Sequence, residues 1–535
     1  MTAPEPTQTV SKTEAAGVVR AASLIATGNV VSRLLGLVRE TVIASLFGAT
    51  GLVSAFRIAQ IIPTMLYDLL IGGMVSSALV PVFSEQAERD RNALWHLASL
   101  ILSLATLGLS LVVVLIELAA PRIAALMAAG FDDELLATTT YLLRLTTPAV
   151  FFLSVSGILT GLLHALRRFT LPAFTATTFN AIIVIVAVGG VSLFDWGIEV
   201  LAYGLLLGAV GQVGLQLPGL RDAHLRFSLD LKHPALRQIG RLTWPIVLGL
   251  VISQVAIVID RSLASTTGEQ SIAWMQFATT IIQFPLGLVS AAISLAILPT
   301  LSRLALSVSE GNDRAANEFM STLTLGLRLV LLLIIPATVA LFVLADPVVA
   351  LLFERGEFGP FDTQQTALAL RYYLFGLTFA AIDQPLIFAY YARQNTLTPA
   401  LVGLLGVGFY LVAALLPTLF RPLQMTDLVL ANSVQLTGHA LVMLWLVNRL
   451  GSLRGHRLGL TGLKSVLSAI VMGLGLWWGV LTAPQWWDSS GFAGRAGQIA
   501  LLIGLGGGVY FTMALLFRMP EISLLGQIVQ RLRSK

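Results

Sequence analysis

Apolar stretches of about 20 residues or more recur in this chain from about residue 20 to residue 518, broken only by short polar segments. A hydrocarbon core roughly 30 Å thick needs about 20 apolar residues per helical crossing. Inside it, only a helix or a closed barrel satisfies its own backbone hydrogen bonds. The runs here are continuous, not alternating, which excludes a barrel and leaves bundled helices. Composition agrees: with 56% hydrophobic and 11% charged residues, the chain has less than half the charge that covers a soluble domain. The expected fold class is all-α, a polytopic membrane protein.

The runs divide into about fourteen transmembrane helices, near residues 20–47, 51–80, 93–118, 135–163, 172–195, 197–219, 237–265, 273–303, 317–345, 365–391, 399–420, 427–448, 465–483 and 496–517. With the N-terminus inside, 22 of the 33 basic residues fall on the cytoplasmic side, 4 outside and 7 within spans. Basic residues are retained on the cytoplasmic face, so both termini are expected there. That bias also accounts for the net charge of +5 without nucleic acid as a partner. No basic segment with a short apolar core precedes the first span, so no removable signal peptide is expected. The absence of cysteine excludes disulfides, thiolate metal sites and a cysteine nucleophile. Residues 223–241 mix basic and apolar side chains around Pro234, and Ile522, Leu525, Ile528, Val529 and Leu532 share one face of the tail. Both segments are expected to lie as helices along the cytoplasmic surface.

Segment 54–84 resembles 272–302, with Pro81 matching Pro299 and Ser84 matching Ser302 at an offset of 218. Ala44 and Ala264 meet at nearly the same offset. Six spans per unit keep both copies in one orientation, the parallel-repeat pattern of transporters whose substrate site lies between two rocking halves. The expected organisation is a cytoplasmic tail (1–19), a six-helix half (20–219), an interfacial linker (220–236), a second six-helix half (237–450), two extra helices (451–518) and an interfacial tail (519–535).

Ionisable side chains inside a membrane are costly and face water or a partner. Here they concentrate in the first two spans of each half. Arg33 and Glu40 share a face of the first span, with Ser32 and Arg39 beside it; Arg57 and Asp68 share a face of the second. The seventh span carries Asp260 and Arg261, and the eighth a polar stripe of Gln276, Thr279, Thr280 and Gln283. Pairing is expected between Arg57 and Asp68 and between Arg261 and Asp260. Four arginines meet only three acids, and the excess suits an anion, above all phosphate. Arg33, Arg39, Arg57 and Arg261 are therefore the candidate phosphate contacts. Ser32, Glu40, Asp68, Asp260, Gln276, Thr280 and Gln283 are the candidate polar or coupling residues, and Asp68, Asp260 and Asp383 candidate proton or cation sites. Arg144, Arg328 and Arg371 are expected to be structural. The six histidines show no ligand spacing, so neither metal nor cofactor is expected.

Seven stretches in order resemble a known family. They are Ser32-Arg33-Leu34-Leu35-Gly36-Leu37-Val38-Arg39-Glu40; Phe47-Gly48-Ala49; Leu79-Val80-Pro81; Arg168-Phe169 with Pro172-Ala173 and Asn180; Ile259-Asp260-Arg261-Ser262-Leu263-Ala264-Ser265; Leu352-Phe353-Glu354-Arg355-Gly356-Glu357-Phe358; and Tyr391-Ala392-Arg393-Gln394-Asn395-Thr396 with Thr398-Pro399. Over roughly residues 20–520 the chain resembles the MurJ (MviN) lipid II flippases of the multidrug/oligosaccharidyl-lipid/polysaccharide exporter superfamily. The resemblance implies a V-shaped bundle in the bacterial cytoplasmic membrane that flips an undecaprenyl-diphosphate-linked peptidoglycan precursor by alternating access. It further implies a role in cell-wall biogenesis and cell shape, with membrane lipids and the cell-wall synthesis machinery as partners.

Within that resemblance Arg33 and Arg39 take the family's essential arginine positions, and the last two spans, without charge from Ser465 to Trp487 and from Ala496 to Phe517, would form a groove for the polyprenyl tail. Two departures lower the positive charge: Tyr67 and Thr280 stand where the family has arginine, and Gln283 where an acid is often found. Either Arg57 or Arg261 substitutes, or the headgroup is another lipid-linked saccharide. A drug exporter of the same superfamily is the second alternative, although such proteins usually stop near twelve spans. A glycosyltransferase needs an acidic catalytic motif in a large outer loop. The only candidate, Phe131-Asp132-Asp133-Glu134, is short, and its acids suit a helix N-terminus. No enzyme activity is expected.

Overall fold

The computed structural model describes residues 12–69, 75–451, 453, 457–487 and 491–522. Every regular element among them is helical. Two compact units divide the chain: residues up to Leu46 with Gly51–Val258, and Phe47–Thr50 with Ile259 onward.

The first unit contains α1 (Lys12–Phe47), α2 (Gly51–Tyr67), α3 (Val80–Arg89), α4 (Arg91–Met127), α5 (Asp133–Thr146), α6 (Ala149–Ala165), α7 (Thr170–Ala173), α8 (Thr175–Phe194) and α9 (Glu199–Gln216). The division falls inside α10 (Pro234–Ser265). The second unit holds α11 (Ser271–Pro285), α12 (Ala292–Ser309), α13 (Asp313–Val343), α14 (Ala345–Phe353), α15 (Pro360–Ala392), α16 (Leu397–Leu415), α17 (Met425–Leu450), α18 (Leu458–Trp486) and α19 (Gly491–Leu516).

Eleven helical stretches among the described residues are long and apolar enough to cross a membrane: α4, α5 with α6, α8, α9, α11 with α12, α13, and α15 to α19. Fourteen are not counted among the described residues. Of the other three expected spans, α2 is an apolar helix of 17 residues, and α1 and α10 are helices of 36 and 32 residues, the latter uncharged from 242 to 259. The helix containing the first expected span begins earlier, at Lys12.

Proline marks an interruption in one crossing. In α11, Pro285 lacks the N–H that the helix needs, and the chain widens into a π segment at Leu286–Ala291. In the first unit Asp68-Leu69 and Val75–Leu79 are also π. The offset of 218 that aligns Pro81 with Pro299 carries Asp68 onto Leu286, the first residue of the later π segment. This shared irregularity supports the repeat independently of side-chain likeness.

Within each unit, contacts follow the membrane pattern of small residues and polar ties. In the first, Ser156 donates to Gln212 Oε1 (3.0 Å) and Gln216 Nε2 to the Ser156 carbonyl (3.1 Å), joining α6 to α9. In the second, a Cβ at Gly376 of α15 would lie 2.7 Å from Ser433 Cα of α17, so only glycine allows this approach. Ser433 Oγ there donates to the Tyr372 carbonyl at 2.7 Å.

The linker departs from the expected interfacial helix. Residues 223–233 are not helical, and helix resumes only at Pro234. The Arg226 and Ser228 amides donate instead to Ser99 Oγ (2.9 Å) and Ser103 Oγ (3.0 Å) of α4. Arg168 Nη1 and Nη2 fasten the start of this strap by bonding Asp222 at 2.6 and 2.8 Å. Leu225, Phe227, Leu229 and Leu231, all exposed, alternate with the residues tied down. Period two is the signature of extended chain, not of a helix. The tail helix expected beyond Ile522 lies outside the described residues.

Candidate functional site

In the first unit, α1 brings Ser32, Arg33, Arg39 and Glu40 to one stretch, and α2 brings Arg57. Glu40 is 1% exposed and Arg57 3%. Arg57 Nη2 pairs with Glu40 Oε2, and Arg57 Nη1 lies 3.3 Å from Glu40 Oε1. Arg39 approaches the same carboxylate, with Nη2 at 2.7 Å and Nε at 3.2 Å from Oε1. One acid thus answers two guanidinium groups, and the trio keeps a net positive charge. Such a pair needs its remaining donors satisfied to offset desolvation. Gln60 accepts from Arg57 Nη1 at 3.4 Å. Asn180 of α8 accepts from Arg39 Nη1 at 3.0 Å and donates to the Ser32 carbonyl at 3.2 Å. Arg33, on the same helix, is exposed.

The expected Arg57–Asp68 pair does not form. Asp68 is exposed at the start of the π segment, eleven residues along the same helix, whereas Glu40 faces Arg57 from the neighbouring one. Spacing along one helix identified a shared face but not what lies across from it. Tyr67 is half-buried against the apolar cluster of α3, α4 and α6.

In the second unit, Arg261 and Asp260 do approach, with Nε 3.8 Å from Oδ2. Asp260 is held by Tyr410 of α16, whose hydroxyl donates to Oδ1 at 2.6 Å. Arg261 Nε and Nη1 are buried and have no hydrogen-bond partner among the described residues. The α11 stripe turns partly on itself: Thr279 Oγ1 and Thr280 Oγ1 both donate to the Gln276 carbonyl, at 2.9 and 3.0 Å. Gln283 is exposed.

The remaining intramembrane arginines have local partners. Arg328 Nη2 lies 2.5 Å from Glu521, which also accepts from Thr461 at 2.6 Å, tying α13 and α18 to the segment after α19. Arg371 pairs with Asp346, and Arg144 lies near Glu117. Sequence reasoning missed Asn180 as a ligand of Arg39, although the residue stands in a recognised motif. It also missed Tyr410, hidden within an apolar run. Among the described residues no cluster of three or more His, Cys, Asp or Glu is suited to a metal ion.

Comparison with known proteins follows the same lines. The family described as "Lipid II flippase MurJ" matches residues 43–494. A probable lipid II flippase MurJ of Haemophilus influenzae is 30% identical over 475 residues, 85% of this chain and 91% of that protein. Its counterpart in Vibrio cholerae is 30% identical over 524 residues, covering 92% and 95%. Among solved structures, lipid II flippase MurJ in an inward closed conformation aligns with a TM-score of 0.77 at 24% identity, over 93% of this chain and 99% of that one. An inward-facing multidrug transporter of the MATE family aligns at 0.65 and 16% identity, over 79% and 96%.

Proposed function

The chain belongs to the MurJ lipid II flippase family, and on that premise we propose that it flips lipid II, the undecaprenyl-diphosphate-linked peptidoglycan precursor, across the bacterial cytoplasmic membrane. The headgroup enters from the cytoplasmic side, its diphosphate meets Arg33 and Arg39, and the two halves reorient by alternating access. Both termini stay in the cytoplasm. No bond is made or broken, so the protein is a carrier and not an enzyme. The arginines replace hydration that the diphosphate loses, while the polyprenyl tail remains in lipid.

The observation that carries this reading is the Arg39–Glu40–Arg57 trio: one buried acid between two guanidinium groups, next to exposed Arg33. Glu40 holds Arg39 in place without cancelling the charge of the cluster. Arg57, buried at 3% exposure, serves the architecture of this site better than direct contact. In the second unit, Arg261 supplies unsatisfied guanidinium donors and is the substitute for the arginine absent at Thr280.

Depletion of the native flippase in a cell carrying this gene tests the proposal. Wild type restores externally accessible lipid II and Arg39→Ala does not; rescue by both Arg33→Ala and Arg39→Ala at the wild-type level would refute the phosphate contacts.

A further inference from the structure

Headgroup binding makes no use of a second buried acid, Asp383 of α15, which is 8% exposed. His439 of α17 faces it, with Nδ1 2.9 Å from Oδ1 and 2.8 Å from Oδ2. α16 closes a third side: the Pro399 carbonyl is a further acceptor for the ring, and a Cβ at Gly406 would lie 3.8 Å from His439 Cδ2. Leu386, Ala440 and Met443, near the pair along α15 and α17, are fully buried, and Gln435 of α17 reaches the same Gly406 position, with Cγ at 3.6 Å and Nε2 at 3.9 Å. Tyr391 of α15 is the titratable group that senses the Asp383 charge. Among the described residues, no side chain of α11, α12, α13, α14 or α16 forms an ion pair or hydrogen bond with either member.

One proton more or less decides the charge of this pair. With the proton, as imidazolium facing carboxylate or as carboxylic acid facing imidazole, the pair is neutral and bonded. A ring between a carboxylate and a carbonyl is best served when it carries two N–H groups. Without the proton, the pair carries one negative charge in a largely buried site with no cationic partner among the described residues other than the ring itself, which low-dielectric surroundings disfavour. Its loss therefore loosens the tie between α15 and α17 or admits water.

We propose that Asp383 and His439 form a proton-binding site whose loading and emptying, from opposite sides of the membrane, is coupled to the transport cycle. Coupling to lipid II rests on the function proposed above; proton binding does not. The experiment separates the two. The chain has no cysteine, so Thr396→Cys, at the exposed N-cap of α16, is a single reporter. In vesicles of phosphatidylethanolamine and phosphatidylglycerol, its maleimide labelling is measured from about pH 5.5 to 8.5 against a free thiol, a range set by ordinary histidine titration. The corrected rate is expected to change at least about threefold with one-proton dependence in the parent, and to stay flat in Asp383→Asn, His439→Gln and the double variant. A flat parent, or the same change in all variants, overturns the site.

Lipid II flipping is then followed with the membrane potential clamped at zero. A pH gradient is expected to change the parent rate at least about fivefold and to leave the neutral double variant, which keeps a hydrogen bond between uncharged groups, unaffected. Flipping that ignores the gradient in the parent overturns the coupling. A pH-dependent reporter in a protein that moves no lipid II leaves the proton site standing and refutes the substrate.

Discussion

Glu40 is the residue on which the first cluster depends. Replacing it with glutamine leaves Arg57, 3% exposed, without its carboxylate. Breaking a buried ion pair from one side costs about 3–5 kcal/mol. Glu40→Gln is therefore expected to lose thermal stability in detergent, and Glu40→Gln with Arg57→Met to recover most of it. A glutamine variant as stable as wild type would remove the pair from the architecture. Arg33 is expected to behave in the opposite way. Because it is exposed, Arg33→Ala changes stability by no more than about 0.5 kcal/mol, yet lowers flipping at least about tenfold. Paired melting and transport measurements check both outcomes. Much of this site was legible in the sequence because membrane helices hold few charges, so each one stands out. The partner of Arg57 was not, because periodicity describes one helix and Glu40 comes from another. The tie from Arg39 to Asn180 was not legible for the same reason: it spans 141 residues.

The turn between α1 and α2 illustrates a constraint at the scale of elements. Gly48 has φ +64°, and a Cβ there would lie 2.6 Å from the Glu357 carbonyl oxygen. Gly48→Ala is expected to destabilise by about 1–2 kcal/mol through left-handed backbone and collision together; an unchanged melting temperature would contradict the contact. The linker strap gives a second test. The hydrogen bond from Arg168 holds the Asp222 carboxyl below its usual range. Its stabilisation is thus present above the ordinary aspartate value, about 4, and disappears as pH falls through the lowered one. Asp222 is partly exposed, so the effect is below about 1 kcal/mol. Hydrogen exchange of residues 222–230, corrected for intrinsic rate, is expected to be flat from about pH 8 to 5, to rise below about 4, and to be raised at neutral pH in Arg168→Ala. Crossings of this kind are readable because lipid demands long apolar runs. The π segments are not, since proline marks a break without specifying its form, and the strap was misread because its exposed apolar residues alternate in an extended chain.

At the scale of the whole molecule, the two compact units carry unlike chemistry. The first holds a net positive trio, whereas the second holds a neutral Asp260–Arg261 neighbour pair and a His439–Asp383 pair. Similarity in fold extends to multidrug transporters, so fold alone does not select the cargo, and the function proposed above assigns that role to the charge of the α1 cluster. Purified protein in vesicles with labelled lipid II in one leaflet tests that claim most directly. The account predicts that wild type equilibrates lipid II between leaflets, at least about tenfold faster than Arg39→Ala and faster than it moves a neutral polyprenyl glycan lacking the diphosphate. Equal rates for lipid II and the neutral glycan, or undiminished transport by Arg39→Ala, would contradict it.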